Sequence, residues 1–175
     1  MKLSRFRPHL VILLLSIAAL ACFQQSRSEM NNGKGARDNP VSPRKYAVTS
    51  DFSIAALSVV RRPITASEIS EATQEASPDD LQFEYLKVQF QVKCNLADEK
   101  ICDLSEIGTH VQLVSDTGIL INPTDMENSD SPLAGEILGD AEKTGWLIFK
   151  VPIGMVVTTA VVRYDDGEML FFALP

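Results

Sequence analysis

An all-β fold, a sandwich of about seven antiparallel strands, is what this sequence predicts for its larger part. Three observations carry that prediction. Glu84 to Lys93 alternates without a break, Leu86, Val88, Phe90 and Val92 to one side and Lys87, Gln89, Gln91 and Lys93 to the other. Such alternation marks an antiparallel strand with one wet face, whereas a helix would need apolar residues three and four apart. Two loops of one chemistry, Asp116-Thr117-Gly118 and Asp165-Asp166-Gly167, each separate two apolar runs. Their terminal glycines suit three-residue hairpins, which end in a left-handed residue. Finally, turn residues punctuate the chain at the short, regular spacing of sandwiches and barrels.

The N-terminus has a different character. Lys2, Arg5 and Arg7 precede an apolar stretch from Leu10 to Leu20, interrupted only by Ser16. About a dozen apolar residues suit a signal peptide and fall short of the roughly 20 needed to span a bilayer. Ala19-Leu20-Ala21-Cys22 resembles the lipobox of bacterial lipoproteins. That resemblance implies removal of residues 1–21 and lipidation of Cys22, with a diacylglycerol thioether and often a third chain, commonly palmitate, on its amine. Two or more acyl chains anchor a protein stably where one does not. Cleavage without lipidation would instead leave a soluble secreted protein. The expected location is the cell membrane or outer membrane, facing away from the cytoplasm. Phe23, rather than an aspartate, follows the cysteine, which leans toward the outer membrane in a Gram-negative cell.

Residues 22–45 read as a lipidated N-terminus and a tether. Asn, Gly, Ser and Pro dominate there, with too few apolar side chains to offset the entropy of ordering. As a coil it would span roughly 25–30 Å. Residues 23–45 carry five Lys or Arg against two acids, while residues 46–175, the expected domain, carry eight against 21. So acidic a domain lacks the basic stripe that nucleic acid requires.

Within the domain the strands are expected in order. Phe52 to Val60 stops at Arg61-Arg62-Pro63. Thr65-Ala66-Ser67-Glu68 is a capping-box signal for one or two helical turns before Pro78. Glu84 to Lys93 follows, then Thr109 to Ser115 and Ile119 to Ile121 around the first hairpin loop. A short strand at Glu136 to Leu138 precedes Trp146 to Val151, and Val156 to Tyr164 and Glu168 to Leu174 close the chain.

Tyr85 to Val92, Leu113 to Gly118 and Thr144-Gly145-Trp146-Leu147-Ile148-Phe149-Lys150-Val151-Pro152, in that order and before a closing strand pair, resemble the bacterial family called domain of unknown function 4352. The resemblance covers about residues 50–174 and is sharpest at Gly145 to Pro152. It implies an immunoglobulin-like sandwich, often carried by lipoproteins and secreted proteins. It also implies that Leu86, Val88, Phe90, Leu147, Phe149 and Val151 line two facing strands, with Trp146 on the opposite face. No catalytic residues come with it.

Few side chains suggest chemistry. Cys94 and Cys102 remain once Cys22 is set aside, and an even pair in an exported chain reads as a disulfide. A zinc site would lack ligands, because His110 is the one histidine after the leader. Cys-x-x-Cys redox spacing is absent, and no Gly-x-Ser-x-Gly elbow accompanies a serine. His110 itself is expected on a strand as a solvated residue. In the acidic loop, Asp125, Glu127, Ser129 and Glu136 fall at EF-hand positions one, three, five and twelve. Asp130, however, stands where that loop needs glycine. Asp125, Glu127 and Asp130 are thus weak calcium candidates, and no other metal or cofactor is expected. These observations point to a non-catalytic domain that binds an envelope protein or surface component. An accessory subunit of an envelope assembly, and a soluble secreted domain with a weak calcium site, are the alternatives.

Overall fold

The computed structural model describes residues 35–63, 82–124, 131–164 and 167–175. Gly35–Pro175 is a compact unit. Its strands are β1 (Ala47–Val48), β2 (Phe52–Pro63), β3 (Phe83–Cys94), β4 (Ile101–Asp103), β5 (Val111–Ser115), β6 (Leu120–Ile121), β7 (Glu136–Leu138), β8 (Glu142–Pro152), β9 (Val157–Tyr164) and β10 (Glu168–Ala173). One helix, α1 (Leu104–Thr109), lies between β4 and β5. Two four-stranded sheets, ordered β1-β2-β3-β8 and β10-β9-β5-β6, supply the layers of the sandwich, and β4 pairs with β7 as a small third sheet. All the strand pairs are antiparallel. The immunoglobulin-like all-β sandwich expected from the sequence is therefore the observed fold.

The alternation in β3 does what its period predicts. Leu86, Val88, Phe90 and Val92 are fully buried, while the residues between them are partly exposed. One expectation about these rows is corrected. Leu86, Val88 and Phe90 do not face Leu147 and Phe149 across the sandwich. They stand beside them in one sheet, with Leu86 opposite Phe149, Val88 opposite Leu147 and Phe90 opposite Gly145. The two segments share apolar alternation, and alternation assigns a face without saying whether two rows are neighbours or opposites. The facing layer comes from Val111 and Leu113 of β5, Ala160 and Val162 of β9, and Leu170 and Phe172 of β10. Phe90 meets Phe172 across the layers edge to face, with centroids 5.9 Å apart. Each such buried side chain contributes about 1.5–3 kcal/mol of transfer free energy.

The domain also begins earlier than composition suggests. Residues 35–45, read as tether, are part of the compact unit. Val41 is buried, donates its N–H to Phe171 O at 3.0 Å and accepts from Ala173 N at 2.8 Å. This arm covers the free edge of β10, which an open sheet must otherwise protect. Composition misreads it because its order is supplied by the sheet it docks on. The capping-box segment after Thr65 lies outside the described residues.

Candidate functional site

One end of the sandwich holds a groove of about 550 Å³, built from the β1–β2 turn, the loop after β3, β4, α1 and the end of β9. Each wall is held locally. The β1–β2 turn is closed by Thr49, whose Oγ1 accepts from Phe52 N at 3.0 Å and donates to Phe52 O at 2.7 Å. Asn95, just after β3, clasps this turn. Its Nδ2 donates to Thr49 O at 3.1 Å, and its backbone N–H donates to Asp51 O at 2.8 Å. Ser53 and Asn95 also bond side chain to side chain. Thr49 and Ser53 are buried, so these bonds remove a desolvation penalty that unpaired polar groups would incur.

Cys94, the last residue of β3, and Cys102 of β4 form the disulfide, with Cα atoms 5.8 Å apart. Both cysteines are buried. The bond ties the small β4–β7 sheet to the main layer and fixes the groove wall that Cys102 and Ile101 provide. The chain then turns into α1. Asp103 caps the helix, its Oδ1 accepting from Ser105 N at 2.8 Å and Glu106 N at 3.4 Å. This satisfies donors that a helix start leaves free.

The floor is apolar, with Phe52 and Ile107 buried beneath it. The rim is charged. Asp51, Asp103 and Glu106 are exposed carboxylates from three different elements, and Arg163 of β9 also reaches the groove. His110 lines it as well, but not from a strand. It follows α1, donating its backbone N–H to Ile107 O and accepting from Arg163 N at 3.0 Å. Among the described residues no hydroxyl, thiol or carboxylate hydrogen-bonds its ring. A smaller depression of about 220 Å³ is lined by Trp146, Leu147 and Ile148 of β8, by Pro132 and Leu133 beside them, and by Gly108 of α1. Trp146 is half-buried beside the 131–133 segment, its backbone N–H donating to Ser131 O and its carbonyl accepting from Leu133 N.

The sequence candidates fare differently. Cys94 and Cys102 are brought together. Cys22, and Asp125, Glu127 and Asp130, lie outside the described residues. Among the described residues no three His, Cys, Asp or Glu side chains cluster as metal ligands do. Asp51, Asp103, Glu106 and Arg163 were not foreseen as neighbours, because no spacing links four residues spread over so much chain. A local signal did exist for α1, since Asp103 followed by Glu106 is a helix-start pattern.

No family model matches the sequence, and no curated protein matches it. Solved structures do resemble it. A candidate lipoprotein of Bacillus subtilis, ycdA, is 17% identical with a TM-score of 0.53, covering 74% of this chain and 38% of that one. This chain therefore spans about two fifths of that protein's length. The yjhA protein of Bacillus subtilis is 14% identical with a TM-score of 0.52, covering 77% of this chain and 99% of the other. The secreted protein MPT63 of Mycobacterium tuberculosis is 12% identical with a TM-score of 0.50, covering 77% and 97%. At such identities the likeness establishes the shared fold.

Proposed function

We propose that this chain is an exported lipoprotein, held in a membrane through acylated Cys22, whose immunoglobulin-like domain is a non-catalytic binding module related to domain of unknown function 4352. The observation that carries the reading is the buried Cys94–Cys102 disulfide. Structural disulfides persist outside the cytoplasm and are rare within it. The bond therefore supports an oxidising compartment, as the expected leader and the Ala19-Leu20-Ala21-Cys22 sequence do. Binding is supported by the groove, whose walls are held by the Cys94–Cys102 bond, the Asn95 clasp and the Asp103 cap. Sandwich domains commonly bind through loops gathered at one end, and the groove is such an end.

Cell fractionation tests the anchor. The native protein is expected in the membrane fraction and to leave it only with detergent, while Cys22→Ala moves to the soluble fraction. Persistence of Cys22→Ala in membranes would overturn the lipid anchor. In-cell crosslinking of the tagged protein then tests the module, with one recurrent envelope protein or surface component as the expected capture.

A further inference from the structure

We propose that the end groove is the contact site of this module, and that it takes a lysine- or arginine-bearing segment of a basic partner protein. The inference rests on reading the domain as a binding module and goes further by naming the site and the partner chemistry. Charge complementarity selects the partner. Asp51, Asp103 and Glu106 come from the β1–β2 turn, the end of β4 and α1, and all three are exposed residues lining the groove, Asp103 with one carboxylate oxygen engaged in capping α1. The whole domain repeats that sign, with eight basic against 21 acidic residues over 46–175. A field of one sign steers an oppositely charged partner toward a cleft of the same sign.

The floor selects between a simple cation and a peptide. Phe52 and Ile107 are apolar and buried below the rim, with Tyr164 beside them. Lysine and arginine lay their methylene stems on such surfaces while the charged head stays at the wet edge. A volume of about 550 Å³ accommodates more than one side chain. Arg163 makes the lining less than uniformly negative. A segment that alternates basic and apolar residues therefore suits it better than a polycation. The Cys94–Cys102 bond, the Asn95 clasp and the Asp103 cap hold the walls before anything binds, which lowers the ordering cost of association.

The test uses the full chain, processed by the cell and purified in detergent, and a fluorescent hexapeptide alternating lysine and leucine. A counterpart with glutamate in place of lysine is the control. The lysine peptide is expected to bind at low salt and to weaken steeply as salt rises, while the glutamate peptide does not bind. Asp51→Asn combined with Glu106→Gln should weaken binding about tenfold. Both side chains are exposed, so the melting temperature should hold. Asp116→Asn, in the hairpin loop between β5 and β6, should leave binding unchanged. The proposal is overturned if the lysine peptide does not bind, if the double variant binds like the native chain, or if Asp116→Asn weakens binding equally. Fractionation of Cys22→Ala reads the anchor separately. Intact anchoring without peptide binding removes the groove alone, whereas peptide binding in a protein that is not anchored removes the lipid reading alone.

Discussion

Tyr46 ties surface chemistry to stability. Its hydroxyl donates to Glu142 Oε2 at 3.0 Å, and Gln91 Nε2 holds the other carboxylate oxygen at 2.9 Å. Partial burial, then the hydrogen bond to Glu142 and its negative charge, push the tyrosine pKa up to about 12. An unfolded tyrosine titrates near 10. The folded state thus holds the proton more tightly. The stabilisation is complete below about pH 10 and disappears as pH rises from there to about 12. Urea midpoints of the native protein and Tyr46→Phe should therefore differ at neutral pH and converge in that alkaline window. An unchanged gap would show that another group is responsible. Gly145 makes a second prediction at this scale. A Cβ there would lie 2.5 Å from Leu133 Cα and 2.6 Å from Leu133 N, backbone atoms with little room to give. Leu133 N donates to Trp146 O, so the close approach is part of how the 131–133 segment covers the edge of β8. Gly145→Ala should cost about 1–3 kcal/mol, seen as a lower melting temperature. The glycine before the tryptophan is thereby explained by backbone contact.

Two elements owe their order to partners far along the chain. The disulfide closes a short loop, from Cys94 to Cys102, and the chain-entropy account assigns such a ring about 2.5 kcal/mol. Replacing both cysteines by alanine should lower stability by that order. It should also raise amide exchange most in β4 and α1, which hang from the bond. Uniform exchange across the sandwich would mean that the small sheet is held by packing alone. The N-terminal arm makes the contrasting case. Val41 lies buried against β10 between two backbone hydrogen bonds. Val41→Asp would bury a carboxylate without a partner and should destabilise by about 2–4 kcal/mol. A free tether would tolerate the same change without effect. Chemical denaturation decides between them.

At the scale of the whole molecule, charge and architecture act together. Phe90, Phe149 and Phe172 anchor an apolar interior, while among the described residues the acids are exposed or, at Glu84, partly exposed, and acids outnumber bases 21 to eight over residues 46–175. A stable acidic scaffold with one end rigidified favours association that is fast and salt-sensitive. Captures recovered by crosslinking in cells are accordingly expected to shrink in high-salt washes applied before the crosslinker. A capture indifferent to salt would point to an apolar contact, such as the depression beside Trp146.

Periodicity made the long strands legible. β3 alternates from Leu86 to Cys94, β8 carries a looser version of that pattern, and Gly118, at φ +87, takes the left-handed position its hairpin loop demands. The cysteine pair was legible too, because an even pair in a chain expected to be exported reads as a disulfide. The two-residue β1, the three-residue β4 and the arm were not, and of the six-residue α1 only its Asp103–Glu106 start was. Pieces this short contain no full period, and their backbone bonds are made to segments distant in sequence. Alternation could assign Leu86 and Phe149 to the interior but not place them side by side in one sheet. The groove is the extreme case. Asp51, Glu106 and Arg163 become neighbours only when both sheets close around a common core, so local pattern determined the strands and the faces they bury, while long-range pairing alone decided the site.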